Sequence, residues 1–343
     1  MPSGNANIYR QLNGRRLLTG MALVVLMLAL VVVDLGMGSS GISLGEVIEA
    51  LLAGPDGDTA NAAILWSIRL PMTLTCVFVG GSLSLAGLQI QTITNNALAS
   101  PYTLGVTASA SFGAAIAITL GLSVAGYLWI GTALLALVFA LVVSLLIFYL
   151  GRLKGMSTST LILSGIIMNF FFQALQQYLQ YRASPEIAQI ISGWTFGNLQ
   201  RSSWMSVVVS GCLLIAGAAL LSGWSWRLTV LTTGEERARS LGINVERLRL
   251  HVFLICSFLI AGAVGFIGTV AFVGLVAPHC AKLMLGEDQR YLLPNATILG
   301  GLMLLASSIV SKLLSGGSML PVGIVTSIVG VPFLFVLLMK NGR

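Results

Sequence analysis

Long apolar runs alternate with short polar breaks along almost the whole chain. A helix needs about 20 apolar residues to cross the hydrocarbon layer of a bilayer, and runs of that length recur throughout. The pattern predicts about ten transmembrane helices, of which the eighth is the shortest. The predicted spans cover residues 17–36, 70–93, 102–121, 126–150, 159–180, 203–223, 248–269, 270–285, 292–311 and 320–339.

The composition agrees with a membrane protein. Of the 343 residues, 56% are hydrophobic and 8% are charged, and the mean hydropathy is +0.95. Soluble globular domains carry about a quarter charged residues, so no segment is expected to fold as a soluble domain. The sequence predicts an all-α, polytopic transmembrane helix bundle that forms one domain over residues 1–343.

The distribution of Lys and Arg predicts the orientation of the bundle. If the N-terminus is cytosolic, most of the 18 basic residues lie on the inner side. Basic residues near helix ends favour the cytosolic side, so we expect both termini in the cytosol. Topology thus accounts for the net charge of +7, which does not indicate a nucleic-acid partner. The basic residues expected on the outer side are Arg69, Arg182, Arg201 and Lys312.

The polar stretch 231–250 interrupts two apolar runs. Its "GEERARSL" segment is predicted to form a short helix that Gly242 ends in the left-handed conformation. Asn244 is predicted to cap a second helix that continues into the next span. Two short helices joined by a bend would form a rigid protrusion on the cytosolic face, able to transmit motion from a protein partner. The alternative is an ordinary loop whose arginines reflect topology alone.

Amide side chains recur at steps of three and four within one predicted span, which places them on one helical face. Such a stripe suits a water-filled pathway for a polar solute. The alternative is that the amides hydrogen-bond between helices of the bundle. The five residues are Asn169, Gln173, Gln176, Gln177 and Gln180.

Several kinds of chemistry are not indicated by the sequence. The interiors of the predicted spans lack Asp and Glu, with Asp34 at the outer end of the first span, which argues against proton or sodium coupling. A channel needs no such groups, so an ATP-independent channel or secondary transporter stays open. The cysteines lie singly and His279 has no second ligand nearby, so no metal site is expected. The chain lacks a Gly-Lys phosphate-binding loop, so it is not expected to be an enzyme that hydrolyses ATP.

The segment "SLGEVIEALL" lies between the first two predicted spans. Ser43 followed by Glu46 is the pattern of a capping box, and the apolar residues that follow lie on one face. The pattern predicts a short amphipathic helix that contacts lipid at the outer interface.

Five segments carry a resemblance to a known family. They are "RLPMTL" (69–74), "NNALASPYTLGV" (95–106), "EERARSLGINVERLRL" (235–250), "VAFVGLVAPH" (270–279) and "LPVGIVTSIVGVPFLFVLL" (320–338). In this order, they resemble the permease subunits of type II ABC importers, namely the iron-chelate uptake (FecCD) family, which includes the vitamin B12 importer's permease.

The resemblance implies a ten-span permease domain in the cytoplasmic membrane of a bacterium. It implies a second permease subunit, as a homodimer or a paralogous heterodimer, two cytosolic ABC ATPases and an extracytoplasmic substrate-binding protein. No cofactor is expected on this chain, since ATP and Mg would bind the ATPases. Ferric siderophore is the expected cargo and alternating access the expected mechanism; vitamin B12, haem and an oxyanion are the alternatives within the family.

The resemblance also implies roles for individual residues. The ATPase-coupling segment would comprise Glu235, Glu236, Arg237, Arg239, Ser240, Leu241 and Gly242. A cytosolic gate would use Asn96, Leu98, Thr158 and Ser159. Arg69 and Lys312 match positions that dock the binding protein, although both could instead be helix-end anchors that snorkel to the interface. Ala97 stands where the family commonly has Pro after Asn96, and Met72 where some relatives carry a second base.

Overall fold

The computed structural model describes residues 3–38, 41–124, 127–154, 157–315 and 319–341. Both ends of the chain, residues 1–2 and 342–343, lie outside these ranges, and so does their predicted cytosolic position. Residue 126 of the fourth predicted span also lies outside. The first helices are α1 (Ser3–Gly36), α2 (Leu44–Ala53), α3 (Ala60–Ile64), α4 (Leu70–Thr94), α5 (Val106–Thr119), α6 (Leu128–Leu153), α7 (Thr158–Arg182) and α8 (Pro185–Thr195). The remaining helices are α9 (Trp204–Gly223), α10 (Ser225–Thr232), α11 (Glu235–Ser240), α12 (Val245–Ile267), α13 (Val273–Leu285), α14 (Gln289–Leu314) and α15 (Val322–Asn341).

The apolar helices occur at the ten predicted positions. Within the described residues, 7 helices are long and apolar enough to cross a membrane, and α5, α13 and most of α15 are shorter apolar helices. The second span is longer than predicted, because α3 continues through a π-helical turn, Leu65–Arg69, into α4. This turn ends two residues before Pro71, which has no N–H to donate to the helix. The third span begins later than predicted, at Val106.

Helix α4 lies at the centre of the bundle and is buried along most of its length. It packs against α9, α12, α13 and α14. Gly80 makes the packing on α14 possible, because a Cβ added there would lie 2.4 Å from the carbonyl oxygen of Gly300. The Gly-rich and Ser-rich sequence of α4 therefore lets its neighbours approach its backbone closely.

Apolar side chains also cover the outside of the bundle. Only 11% of the residues in the most apolar stretch of α1 are buried. Leu18 and Leu28 in this helix are well exposed. Helices α6 and α7 likewise expose large apolar side chains, including Leu134 and Phe170. Exposure on this scale is normal for a surface in contact with lipid or a partner subunit.

The predicted capping box at α2 is confirmed. The Ser43 side chain accepts from the Glu46 N–H, and the Ser43 N–H donates to the Glu46 carboxylate at 2.8 Å. The hydrogen bonds from Ser43 lower the pKa of Glu46. Val47 and Ala50 are buried beside α1 and α3, whereas Leu52 is 83% exposed. Contact of this exposed face with lipid stays a prediction.

Candidate functional site

The polar stretch folds into the short helix α11 and the first turns of α12, which a tight bend joins, as the sequence predicts. The Gly242 N–H bonds to the Arg239 carbonyl at 3.0 Å, and the Ile243 N–H reaches back to the Ala238 carbonyl at 3.0 Å. These two bonds form a Schellman motif, with Gly242 at φ +79° in the left-handed position. The Asn244 side chain then accepts from the Arg247 N–H at 2.9 Å and caps α12. We call residues 235–250 the knuckle.

A further helix, α10, precedes the knuckle and was not predicted. It spans Ser225–Thr232, and Leu228 and Leu231 on it are buried. The Thr229 hydroxyl on α10 accepts from the Gln289 N–H at 3.1 Å, at the first turn of α14. The knuckle therefore extends from an element that is packed against the bundle.

The knuckle has an exposed polar surface, and only some of the predicted coupling residues contribute to it. Ala238 is buried, while Leu241 is 53% exposed. Glu235 is only partly exposed. Its carboxylate pairs with Arg239 at 2.6 Å and with the buried Arg249 at 3.1 Å. The residues with exposed positions are Glu236, Arg237, Arg239, Ser240, Leu241 and Gly242. Arg249 lies in the predicted cytosolic stretch 231–250, and the structure buries its side chain.

The proposed gate residues lie at the end of α4 and the start of α7. Asn95 ends α4 in the left-handed conformation with φ +45°. The Asn96 side chain accepts from the Leu98 N–H at 2.8 Å, which orders the loop. Leu98 is 56% exposed, and Ser159 is also exposed. Within the described part of this one chain, these two residues therefore do not form a closed constriction.

Thr158 and Ser159 occupy the first turn of α7. The Ser157 side chain caps this helix by accepting from the Thr160 N–H at 3.2 Å. Both gate segments thus have ordered backbones set by local caps. Closing a gate between them would require motion or a surface of a second subunit, so the gate stays a prediction.

The amide stripe on α7 faces a groove whose opposite wall is α8. The groove has a volume of about 280 Å³. Gln176 donates to the Thr195 hydroxyl at 3.1 Å, and Gln180 donates to the Ser192 hydroxyl at 3.3 Å. The groove is lined by Gln173, Gln176, Gln177, Gln180, Ser192, Thr195 and Phe196.

The two interpretations of the stripe apply to different members of it. Gln176 and Gln180 bond between helices, as the packing alternative expects. Gln173 donates to Asn169 on its own helix at 3.4 Å, and Asn169 does not line the groove. Gln177 is exposed in the groove. A polar solute would therefore meet Gln177 and the outer parts of the other amides.

A buried charge cluster lies where the last turns of α1 and α14 meet α4. The Asp34 side chain is fully buried, and one of its carboxylate oxygens lies 2.8 Å from the Lys312 ammonium. Ser308 donates to the same oxygen at 2.8 Å, and Thr73 donates to the other. The sequence shows Asp34 only as a residue at the end of the first predicted span, because its partner Lys312 is 278 residues away.

Arg69 and Lys312 are buried in or beside this cluster. Arg69 is 5% exposed and donates to the Leu35 carbonyl at 2.7 Å. The Lys312 side chain is 6% exposed. The snorkelling alternative is therefore wrong for both, since each side chain turns into the protein. Both line a pocket of about 280 Å³ together with Met72 and Gln200; their role in docking stays a prediction.

His279 lies 6.2 Å from the ring of Phe333, measured between ring centroids. In the part of the chain that the structure describes, no three His, Cys, Asp or Glu side chains come together as a metal site.

Outside the spans, Asp288 caps α14, and its pKa is lowered chiefly by the hydrogen bond from Arg290.

Within the described residues, seven long apolar helices and three shorter ones form a bundle with an amide-lined groove and an exposed knuckle, which is the architecture of a multi-pass membrane protein. A model of the FecCD transport family matches residues 26–340. This chain belongs to that family and is the permease of an ABC importer.

Known relatives and one solved structure support the assignment along most of the chain. A Methanocaldococcus jannaschii protein assigned as an ABC transporter permease is 32% identical and covers 97% of each chain. A Helicobacter pylori protein assigned as an iron chelatin transport system permease is 34% identical, over 93% of this chain and 97% of its own. A solved inward-facing transporter assigned to the metal-chelate type is 28% identical with a TM-score of 0.81, over 94% of this chain and 98% of its own.

The cargo differs among relatives of similar identity. The Haemophilus influenzae relative, described as a molybdate import permease, is 30% identical over 96% of each chain. The Yersinia pestis relative, described as a hemin transport permease, is also 30% identical, over 96% of this chain and 98% of its own. Membership of the family therefore sets the transport class and leaves the cargo open.

Proposed function

We propose that this permease carries a ferric siderophore inward across a bacterial cytoplasmic membrane, with both termini in the cytosol. The observation that best supports transport driven by a separate ATPase is the exposed knuckle, in which a tight bend joins α11 to α12, in a sequence that lacks a Gly-Lys phosphate-binding loop. Similarity to an iron chelatin permease and to a metal-chelate transporter supports the cargo. Vitamin B12, haem and an oxyanion are the alternatives, since relatives are described as permeases for such solutes.

The proposed mechanism is alternating access driven by separate ATPases. Two ATPases that approach each other on binding ATP and Mg would displace the knuckles of two permease subunits. The helix bundles would then rock about a central pathway. A substrate-binding protein would deliver the cargo to the outer side, near the pocket that Arg69 and Lys312 line. The chain itself would bind no cofactor.

The first test is reconstitution of the transporter in proteoliposomes. We expect uptake of an iron-loaded siderophore only when the ATPases, ATP and the binding protein are present. Cobalamin, haemin and molybdate serve as competing cargoes and identify the substrate class. Accumulation by the permease alone, without nucleotide or companion subunits, would contradict the proposal and favour an ATP-independent transporter.

In the same assay, Gly242→Val should lower uptake several-fold more than it lowers ATP hydrolysis. Beyond the adjacent residues, no atom lies within 4 Å of a Cβ added at Gly242, so the expected effect comes from backbone strain at φ +79°. For a β-branched residue, a left-handed conformation costs about 1–2 kcal/mol. The matched variant Gly242→Asn should retain more uptake, since Asn tolerates this conformation better. Equal losses with Val and Asn would remove the bend from the coupling mechanism.

The pathway proposal is tested by Gln177→Leu. This amide is exposed in the groove, so its loss should leave the thermal midpoint unchanged. Uptake should fall about fivefold, because one hydrogen bond to the solute, of ~1 kcal/mol, is lost. Gln176→Leu should instead lower the thermal midpoint, because it removes the bond to Thr195 on α8. Tyr181→Phe, at a residue 87% exposed and outside the groove, is the control. If uptake is the same for Gln177→Leu and Tyr181→Phe, the stripe is packing only.

A further inference from the structure

We propose that Arg249 is a positioning residue that transmits displacement of the knuckle to the end of α4 and hence to the loop 95–98. The inference rests on the proposed function, because it assumes that the ATPases move the knuckle. It adds a specific connection between the coupling segment and the gate, two regions that lie far apart in the sequence.

Arg249 contacts both regions directly. Its side chain is 3% exposed. Its Nε donates to the Ile93 carbonyl at 2.9 Å, across 156 residues of sequence. One of its terminal nitrogens donates to the Glu235 carboxylate at 3.1 Å. Glu235 is the first residue of α11, and Ile93 lies in the last turn of α4. One guanidinium therefore joins the start of the knuckle to the end of the central helix.

The contact on α4 is made at a carbonyl that the helix itself does not use. The last four carbonyls of a helix have no intrahelical partner. Here the backbone N–H of Asn95 donates to the Thr92 carbonyl, and the N–H of Asn96 donates to the Gln91 carbonyl. The Ile93 carbonyl accepts from Arg249 instead. The helix dipole also favours a cation at this end. Two residues further on, Asn95 takes the left-handed conformation that starts the gate loop.

The chemistry of a buried arginine makes this connection stiff. A guanidinium is planar, and its donors point in fixed directions, so it can hold an acceptor on each side at once. Taking a buried charge away from its partners is strongly unfavourable. When α11 moves, Arg249 must therefore follow Glu235 and carry the Ile93 carbonyl with it, or lose one of its partners. An exposed ion pair lacks this property, because water replaces the lost partner.

The chain contains such an exposed pair as a comparison. Arg152, at the end of α6, lies 2.9 Å from the carboxylate of Glu246 at the start of α12. Its side chain is 69% exposed. Arg152 thus also joins the knuckle to another helix, but through solvent-accessible groups. We expect it to transmit little force, which makes Arg152→Met the matched control.

The test follows the two ends of the connection separately in the assembled transporter. Cys212 and Cys280 are replaced by serine, and an environment-sensitive fluorophore is placed on Ser240→Cys in one sample and on Leu98→Cys in another. Both positions are exposed. With the native Arg249, we expect ATP with Mg to change the emission of both probes. With Arg249→Met, the Ser240 signal should persist, while the Leu98 signal falls at least about fivefold, the lower end of typical coupling between two sites.

Glu235→Gln is the second variant and covers the case in which Arg249→Met does not fold. It weakens only the α11 end of the connection and leaves the bond to Ile93 in place. A reduced Leu98 response with an intact Ser240 response supports the inference, and Arg152→Met should change neither. An undiminished Leu98 response in either folded variant would overturn it. If ATP moves neither probe with native Arg249, the knuckle is not the coupling element and the proposed function itself fails.

Discussion

Replacing Gly87 with alanine should prevent α4 and α13 from packing and remove most of the folded protein. A Cβ built at Gly87 lies 1.8 Å from the carbonyl oxygen of Gly274 and 2.5 Å from its carbonyl carbon. These are backbone atoms, so no side-chain rotation relieves the overlap. Overpacking a core typically costs about 1–3 kcal/mol and sometimes more, and we expect at least the upper end here. The measurement is the yield and thermal midpoint of the purified protein.

Gly223→Ala is the control for this prediction. It introduces the same methyl group at the end of α9, where no atom lies within 4 Å of the added Cβ. Alanine is also the better helix former, so the control should be neutral or slightly stabilising. A Gly87→Ala protein with the yield and midpoint of Gly223→Ala would show that α4 and α13 do not approach as closely as described.

The second large effect is expected from Lys312→Met. This change removes the cation that lies 2.8 Å from the buried carboxylate of Asp34, and breaking a buried pair by removing one partner costs about 3–5 kcal/mol. The expected result is a much lower thermal midpoint in detergent. Ser308 and Thr73 still donate to the carboxylate, but hydroxyl donors do not neutralise its charge.

The double variant Asp34→Asn with Lys312→Met should recover most of the lost stability. Removing both charges of a buried pair is often nearly neutral. A double variant as unstable as Lys312→Met would contradict the assigned pair. The folded double variant also tests docking, because the Lys312 charge is gone while the bundle is intact. If its affinity for the loaded binding protein at low salt equals that of the native transporter, Lys312 is not a docking residue.

Local sequence patterns determined the ten apolar helices and some of their ends. The period and length of the apolar runs predicted the ten apolar segments. Short-range caps predicted the Ser43 capping box, the left-handed Gly242 and the cap at Asn244, because each depends on bonds between residues within about five positions. Helices α3, α8 and α10 and the π-helical turn before Pro71 were missed, since all of them lie between the predicted spans, where hydropathy does not resolve short helices.

The tertiary structure decided which side chains meet. Periodicity placed the five amides of α7 on one face, but only the position of α8 separated Gln177, in the groove, from Gln176, in the packing. The Asp34 carboxylate meets Lys312 across 278 residues, and Arg249 meets Ile93 across 156. Hydropathy scores each charge by itself, whereas a charge is retained inside a bundle by a partner from another helix. For that reason the sequence identified the segments of this permease, and the packing of its helices identified the residues that connect them.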